Sequence, residues 1–257
     1  MILSIIDIKN VSKKYVNKNT EISVLNNINL GIEKGEFITI VGKSGCGKST
    51  LLKMISGMIE VSEGEIIINN ETVKGSRAEC SIVFQDARLL PWMKIKENVS
   101  LGLENNTFEE KKKIIDEYIE LVGLKGFENM YPKQLSGGMA QRAAIARGLA
   151  VNSEILLFDE PFGALDAMTK IQMQEEVKKI KKEKNKTMIL VTHDIEEAVY
   201  LGDRVVVMSE RPGKIRDIVK IDIQGNKDRT NTEFLNYKNK IHEYFFENKI
   251  PDIEYKI

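Results

Sequence analysis

The stretch from residue 42 to residue 50 constrains this chain more than any other. It reads Gly-Lys-Ser-Gly-Cys-Gly-Lys-Ser-Thr and fits the phosphate-binding pattern Gly-x4-Gly-Lys-Ser/Thr. An apolar run at 37–41 precedes it, and a helical pattern at 51–55 follows it. A strand, a glycine loop and a helix in this order present backbone N–H groups and the positive end of a helix dipole to phosphates. A chance glycine-rich turn does not explain the flanking strand and helix, so the sequence predicts a nucleotide site.

The residues of this loop have separate predicted tasks. Glycine at positions 42, 45 and 47 allows backbone angles and a close approach that a Cβ atom would obstruct. Lys48 is expected to reach the β- and γ-phosphates, and the Ser49 hydroxyl is expected to bind Mg2+. The predicted nucleotide contacts of the loop are Gly42, Lys43, Ser44, Gly45, Cys46, Gly47, Lys48, Ser49 and Thr50.

The composition argues against several classes of protein. Lysine plus arginine and aspartate plus glutamate both total 38, so no net charge attracts nucleic acid or an anionic bilayer. The two cysteines do not make a disulfide framework, which favours a reducing cytoplasm. The first residues lack the basic start and long apolar core of a signal peptide. No apolar run reaches the ~20 residues that span a bilayer, so we expect any membrane contact to go through a partner.

The spacing of apolar residues predicts an α/β chain. Strands are predicted at 2–8, 28–32, 37–41, 64–69, 81–84, 155–158, 188–191 and 204–208, and helices at 51–55, 94–103, 108–122, 139–150 and 171–182. The runs at 155–158 and 188–191 are continuously apolar, as expected of parallel strands buried on both faces. The pattern therefore indicates a helical block, at about 89–150, inserted between two parts of a nucleotide-binding core.

Two carboxylates follow the apolar strand at 155–158. Asp159 is predicted to help hold Mg2+, as acidic residues at such strand ends do in phosphate-loop proteins. Glu160 is placed to polarise the attacking water as a general base. A strand that simply ends in a charged turn is common when seen alone. About a hundred residues after a phosphate loop, the functional interpretation is favoured.

Four further signals are weak when taken singly. Gln85 follows a strand and could reach Mg2+ or the water, although a lone glutamine is usually on the surface. The stretch 136–139 starts a helix and could bind an anion, although an ordinary helix cap is the favoured explanation of this stretch alone. His193 ends a strand and could contact a γ-phosphate, although single histidines are more often incidental. Tyr15 could stack on a base, although a lone tyrosine near a strand is more often in the core.

The order of these signals along the chain is highly specific. The phosphate loop, Gln85, the stretches 135–142, 156–160 and 163–166, and His193 resemble the full motif set of ATP-binding cassette ATPases. This resemblance covers roughly residues 1–220. It implies a P-loop NTPase core of the RecA-like type with an antiparallel β subdomain and an inserted α-helical subdomain. It further implies an ATPase domain at 1–223, followed by a C-terminal helical extension at 224–257.

The resemblance also implies roles for single residues. Tyr15 would stack on adenine, and Asp166 would be the acid of the D-loop. Gln85 would be the Q-loop glutamine, and His193 the switch histidine. The implied catalytic residues are Lys48, Gln85, Glu160 and His193, the implied Mg2+ ligands are Ser49, Gln85 and Asp159, and the implied nucleotide contacts outside the loop are Tyr15, Ser136, Gly137, Gly138 and Asp166.

The family further implies a homodimer that encloses ATP and Mg2+. The phosphate loop of one copy would face the signature, 136–139, of the other. This is physically sensible, because the loop and the capped helix start can each donate N–H groups to the same γ-phosphate. The signature departs from the family at Met139, where glutamine is usual. We expect that change to affect packing or coupling more than ATP binding.

Three stretches, 83–92, 160–166 and 211–215, look like importers of the nitrate/sulfonate/taurine type. Such an ATPase pairs with an integral membrane permease at the cytoplasmic face of the membrane, and indirectly with a substrate-binding protein. The apolar stretch 89–92 is suited to take the coupling helix of the permease. Anchoring the helical block in the core is an equally open role for Trp92. Nitrate, alkanesulfonates, taurine, bicarbonate and thiamine- or riboflavin-related precursors all stay open as substrates.

The sequence thus predicts an importer ATPase, with three rivals. An exporter ATPase would lack a neighbouring gene for a substrate-binding protein. A non-transport cassette protein would usually carry a second cassette, a coiled coil or zinc ligands, and the neutral net charge argues against a nucleic-acid partner. A regulatory module without turnover is disfavoured by Glu160 and His193. After residue 224, apolar residues at 234, 235, 241, 244 and 245 predict a helix packed on the cassette.

Overall fold

The computed structural model describes residues 4–17, 20–223, 225 and 227–246. The strands are β1 (Ser4–Asn17), β2 (Thr20–Glu33), β3 (Phe37–Val41), β4 (Glu63–Ile68), β5 (Glu71–Thr72), β6 (Cys80–Val83), β7 (Ile155–Asp159), β8 (Thr187–Thr192), β9 (Arg204–Met208) and β10 (Ile215–Lys220). The helices are α1 (Lys48–Ile55), α2 (Ile95–Val99), α3 (Phe108–Leu121), α4 (Gly137–Ala150), α5 (Ala167–Lys184), α6 (Ile195–Leu201) and α7 (Thr232–Phe246), with a 3-10 turn at Pro132–Gln134. The first residues of the predicted strand at 2–8 and the end of the predicted extension at 224–257 lie outside the described residues.

A six-stranded sheet forms the centre of the molecule, in the order β10-β9-β3-β8-β7-β6. Strands β9, β3, β8, β7 and β6 pair in parallel, and β10 pairs with β9 antiparallel. Every residue of β3, β7 and β8 is buried, as their continuous apolar runs predict. The carboxyl ends of these three strands meet at one edge of the sheet, and each leads directly into predicted site residues.

A four-stranded antiparallel sheet, β2-β1-β4-β5, packs on one side of this centre. Strands β1 and β2 are both longer than the predicted segments at 2–8 and 28–32. The predicted segments are too short because the outer halves of the two strands are polar and exposed. Backbone pairing in the hairpin extends both strands beyond their apolar residues. The register shifts several times along the pair, which obscures a simple alternation of apolar and polar residues.

Helices α2, α3 and α4 lie between β6 and β7 in the chain and pack against one another. The helix predicted at 94–103 is confined to α2, because a turn follows it and Gly102 adopts a φ of 90°. Strands β5 and β10 and helix α6 were not predicted. Helix α6 lacks a helical period because its residues 197–201 are all buried, which removes the polar face that makes such a period visible.

The hydrophobic core has two parts, one on each face of the six-stranded sheet. Alternate residues of β3 supply both parts: Phe37 and Val41 face the helices, whereas Ile38 and Ile40 face α1 and the antiparallel sheet. Helix α7 buries Phe234 and also Ile241 in the first part. The domain boundaries at 223/224 and at 89–150 stay a prediction. No helix in the described part of the chain is both long and apolar enough to cross a bilayer.

Candidate nucleotide site

A cavity of about 680 Å³ lies at the carboxyl edge of the six-stranded sheet. It brings together ten of the predicted site residues, which are Tyr15, Ser44, Gly45, Gly47, Lys48, Ser49, Thr50, Gln85, Glu160 and His193. Ile22, Val24 and Arg211 complete its lining. Residues that are more than 170 positions apart in the chain therefore share one site, because the ends of the parallel strands converge there.

The phosphate loop folds around the ammonium group of Lys48. This side chain is buried, and Nζ donates hydrogen bonds to the carbonyl oxygens of Gly42 (2.7 Å) and Lys43 (3.2 Å). Gly47 precedes α1 with a φ of 106°, which only glycine adopts readily, and a Cβ there would lie 2.6 Å from Leu25 Cδ2. Cys46 is also a predicted nucleotide contact of the loop. It is buried beneath the loop, so its side chain faces away from the cavity. The loop thus presents backbone and one cation.

Ser49 and Asp159 join the start of α1 to the end of β7. Ser49 Oγ donates a hydrogen bond of 2.7 Å to Asp159 Oδ1. Burial raises the pKa of the Asp159 carboxyl, and the hydrogen bond from Ser49 opposes that rise. No cluster of three or more histidine, cysteine, aspartate or glutamate residues able to hold a metal exists among the described residues. A hydroxyl, a carboxylate and the nearby Gln85 amide are hard oxygen donors, which fits Mg2+ shared with phosphate and water rather than enclosed by protein alone.

Glu160 and His193 meet at the same edge. His193 Nδ1 lies 3.0 Å from Glu160 Oε2, and the His193 side chain is 69% exposed towards the cavity. The Glu160 N–H donates to the carbonyl oxygen of Val191 at 2.9 Å, and Glu160 has a φ of 47°. A non-glycine residue in the left-handed region carries a conformational cost, and such residues concentrate at functional sites. The local backbone therefore aims this carboxylate at the imidazole and the cavity.

Buried Gln141 of α4 holds the segment that leads to Gln85, a contact that the sequence did not reveal. Its Nε2 donates to the carbonyl oxygen of Phe84 at 2.9 Å, one residue before Gln85. The helical block is thereby attached to the cavity at the position of the predicted Q-loop. The available sequence signal for this contact was Gln141 itself, a polar residue within an alanine-rich helix. A buried amide needs a hydrogen-bond partner.

Ser136, Gly137, Gly138 and Asp166 do not line this cavity. Ser136 caps α4, because its Oγ accepts a hydrogen bond of 3.3 Å from the Met139 N–H. Asp166 caps α5, because its Oδ1 accepts from the Thr169 N–H at 3.0 Å. Met139 is partly buried and packs on the core. The predicted signature and D-loop are thus well-formed helix starts that lie outside the cavity of their own chain.

Arg211 is one of three cavity residues, with Ile22 and Val24, to which the sequence had assigned no role. Its Nε donates to the Gly45 carbonyl oxygen at 3.2 Å. The neighbouring Gly213 exchanges backbone hydrogen bonds with β2, which brings the 211–215 stretch against the phosphate loop. Tyr15, 45% exposed, lines the same cavity together with Ile22 and Val24. These residues make one end of the cavity aromatic and apolar, which suits a base.

Comparison with known proteins decides the family. A family model described as ABC transporter matches residues 25–163, which is more than half of the chain. The chain belongs to the ABC transporter family. The aliphatic sulfonates import ATP-binding protein SsuB of Bacillus cereus is 44% identical over 242 residues, which cover 93% of this chain and 95% of that protein. An uncharacterised ABC transporter ATP-binding protein of Methanocaldococcus jannaschii is 48% identical over 236 residues, 91% of this chain and 88% of that protein.

Solved structures agree with this membership. The ATP-binding cassette MJ0796, solved as a dimer in a post-hydrolysis state bound to ADP and Pi, superposes with a TM-score of 0.79 at 36% identity, over 85% of this chain and 99% of that chain. The predictions of an ATP-binding cassette ATPase of the ABC transporter family and of a P-loop NTPase fold are therefore confirmed. The roles of the individual site residues stay predictions.

Proposed function

We propose that this chain is the ATP-hydrolysing subunit of an ABC importer and that it drives solute uptake through a membrane permease. The observation that supports this most strongly is the 3.0 Å contact between Glu160 and His193 beside the phosphate loop. A loop that only bound nucleotide would not need a carboxylate and an imidazole at the same strand edge. The importer direction is supported by relatives named as sulfonate import proteins, such as SsuB of Bacillus subtilis at 43% identity.

The phosphates of ATP bind in the loop, with Lys48 as the cation and the N–H groups at the start of α1 as donors. Ser49, Gln85 and Asp159 would hold Mg2+ through oxygen atoms. When bound, Mg2+ would neutralise the charge that develops on the transferring phosphoryl group. The hydrogen bond from Ser49 to Asp159 keeps these two side chains together at the phosphate loop.

In hydrolysis, a water molecule attacks the γ-phosphorus atom. The bond between that phosphorus and the β,γ-bridging oxygen breaks as the new bond to the water oxygen forms. Glu160 accepts a hydrogen bond, and then a proton, from this water. His193 holds the Glu160 carboxylate at 3.0 Å and presents its exposed imidazole to the γ-phosphate. The products are ADP and phosphate. The strained backbone of Glu160 keeps this geometry fixed in advance.

A second copy of the chain closes the site. Ser136, Gly137 and Gly138 form an exposed helix start whose N–H groups can reach a phosphate only in another copy, since they do not line the cavity of their own chain. The cassette MJ0796 was solved as a dimer at 37% identity to this chain. Closure around ATP would exclude water and produce the motion that the permease uses.

The loop after Gln85 forms the contact with the permease. Trp92 is 69% exposed, so it is available to a partner and does not anchor the helical block in the core. Buried Asn98 donates to the carbonyl oxygens of Leu90 (3.2 Å) and Met93 (3.1 Å) and fixes this loop. Arg147 donates to the carbonyl oxygen of Arg88 at 2.8 Å. An exposed indole on a firmly held loop is suited to dock a helix at the cytoplasmic face of the membrane.

Organic sulfonates are the substrate class that the relatives favour. The test is ATP-dependent uptake into proteoliposomes that contain the permease and this chain, with the cognate binding protein added outside. We expect alkanesulfonate to accumulate, and nitrate to accumulate far less. The matched control is the same system with Glu160→Gln, which we expect to abolish uptake. Uptake of nitrate alone would overturn the substrate class, and ATP-driven release of solute would overturn import.

A further inference from the structure

Helix α6 begins directly after His193, and Asp194 holds its first turn. Asp194 Oδ1 accepts hydrogen bonds from the N–H groups of Glu196 (2.9 Å) and Glu197 (3.2 Å). Asp194 Oδ2 accepts a bond of 2.7 Å from Lys170 Nζ, which ties the same cap to α5. A shift of α6 must therefore move the backbone of His193, because one peptide bond separates the cap from the imidazole residue.

Side chains of residues 227–238 contact both ends of α6. At its first turn, Lys238 Nζ donates to Glu196 Oε2 at 2.7 Å. At its last turn, Lys227 Nζ donates to the carbonyl oxygens of Val199 (3.2 Å) and Gly202. Burial lowers the pKa of Lys227 to about 8. The amine thus gives up hydration in order to satisfy helix-end carbonyls that would otherwise lack partners.

A third connection runs through α5. Arg229 Nη2 donates to Gln174 Oε1, and Gln174 Nε2 donates to Glu197 Oε1 at 2.9 Å. Glu197 and Gln174 are both buried, so the amide connects the arginine to a carboxylate in the interior. The Arg229 guanidinium also lies 4.0 Å from the centroid of the Tyr200 ring in α6. The middle of α6 is therefore held from the same segment as its two ends.

Apolar packing makes this attachment rigid. Phe234 and Ile241 of α7 are fully buried, in the same part of the core as Val199 of α6. Two large side chains inserted at this spacing fix both the rotation and the position of α7 on the cassette. Lys238 lies between Phe234 and Ile241 on α7. Its contact with Glu196 can break only if α7 moves or the lysine changes rotamer.

We propose that residues 227–241 form a brace, which fixes α6 and thereby holds His193 against Glu160. Lys238 and Glu196 are positioning residues in this scheme, since neither lines the nucleotide cavity. The brace sets the rate of ATP hydrolysis without contacting ATP. This inference rests on the proposed function and assigns to the C-terminal segment a task in that reaction.

The test reverses the charge of Lys238 and measures steady-state ATP hydrolysis. We expect Lys238→Glu to lower kcat roughly 5- to 10-fold, because a carboxylate opposite Glu196 displaces α6. The KM for ATP should stay unchanged, since the phosphate loop is untouched. The double variant Lys238→Glu with Glu196→Lys restores this ion pair but removes the carboxylate that lies 3.6 Å from Arg229 Nε, so it should recover part of the lost kcat. Lys240→Glu is the matched control, because it makes the same charge change at an exposed position of α7 and should leave kcat unchanged.

Hydrogen exchange gives a second measurement that does not depend on turnover. The amides of residues 193–197 should exchange faster in Lys238→Glu, and their exchange should slow again towards the wild-type rate in the double variant. If Lys238→Glu does not fold, Lys238→Met removes the pair without repulsion and should lower kcat roughly 2-fold.

The outcomes are distinct for this inference and for the proposed function. A KM that rises together with the loss of kcat, or a charge swap that recovers nothing, would overturn the brace. So would a kcat of Lys238→Glu equal to that of the wild type. Wild-type protein that neither binds nor hydrolyses ATP would instead overturn the proposed function.

Discussion

We propose that two helix starts in the described part of the chain bind phosphate, and their surroundings differ. Helix α1 begins at Gly47 without a side-chain cap, at the wall of a cavity that also contains Lys48 and Glu160. Helix α4 begins at Ser136, whose own hydroxyl caps the helix on an exposed surface. The first has an ammonium group, a hydroxyl and a carboxylate beside it in that cavity, whereas Ser136, Gly137 and Gly138 do not line it.

Under the proposed function, this difference indicates which half of the reaction one chain supplies. The α1 side carries the groups proposed for phosphate binding and water activation, and two pairs of them, Ser49 with Asp159 and Glu160 with His193, are already in contact. The α4 side offers donors only and becomes useful when a second copy brings its own α1 side against it. Changes on the two sides should therefore affect different steps.

The largest expected effect comes from removing the base on the α1 side. Glu160→Gln keeps the size of the side chain and its contact with His193, but cannot accept a proton. Turnover should fall by about 10²- to 10⁴-fold, while ATP affinity stays within about 2-fold of the wild type. Phosphate release and titration with a fluorescent ATP analogue measure the two quantities. Normal hydrolysis by this variant would show that the base is another residue, and Glu183→Gln serves as an exposed control.

The next effect tests the cation of the same side. Lys48→Ala removes the ammonium group that the loop surrounds, and ATP affinity should fall at least about 10-fold, as expected for a lost charge-assisted contact. Calorimetric titration measures the affinity. Lys74→Ala provides a matched loss of one exposed lysine outside the cavity. Undiminished affinity in Lys48→Ala would contradict the assigned role of the loop.

A change on the α4 side should separate binding from turnover. Gly138→Asp fits sterically, because a Cβ there would lie 3.4 Å from the carbonyl oxygen of Ala164, and a carboxylate in the first helical turn favours the helix. It should leave ATP affinity of the isolated chain unchanged and lower turnover at least about 10-fold, by repelling the phosphate of the other copy. Loss of affinity in the monomer would mean that each chain binds ATP with its own signature.

The smallest effect compares Asp159, on the α1 side, with Asp166, which caps α5. Burial raises the pKa of Asp159 above its unfolded value, so its ionised form costs stability. The Thr169 N–H lowers the pKa of Asp166, so its ionised form adds stability. At pH 7, Asp159→Asn should raise the free energy of unfolding, and this gain should disappear as the pH falls towards 3.8. Asp166→Asn should lower it slightly, and that loss should disappear as the pH falls below the lowered pKa. Urea unfolding between pH 3 and pH 8 measures both trends. If both substitutions changed the free energy of unfolding in the same direction at pH 7, the opposite pKa shifts assigned to the two aspartates would be contradicted.

The sequence was sufficient to predict the fold class and most residues of the cavity, because the phosphate loop and the apolar strands are local signals. It did not predict the contact between Glu160 and His193, since that contact depends on the pairing of β7 with β8. Arg211 was missed as a cavity residue because the 211–215 stretch meets the phosphate loop only through β2. Helix α6 was missed because its residues 197–201 are all buried, although Asp194, with glutamates at 196 and 197, was a cap signal that could have revealed it.

The central claim is that ATP joins the α1 side of one copy to the α4 side of another. Sedimentation equilibrium of Glu160→Gln with ATP and Mg2+ tests it most directly, because blocked turnover should preserve the closed state. The account predicts a species of twice the chain mass of 29.2 kDa, which returns to a single chain with ADP. A particle that stays at 29.2 kDa under saturating ATP and Mg2+ would contradict it.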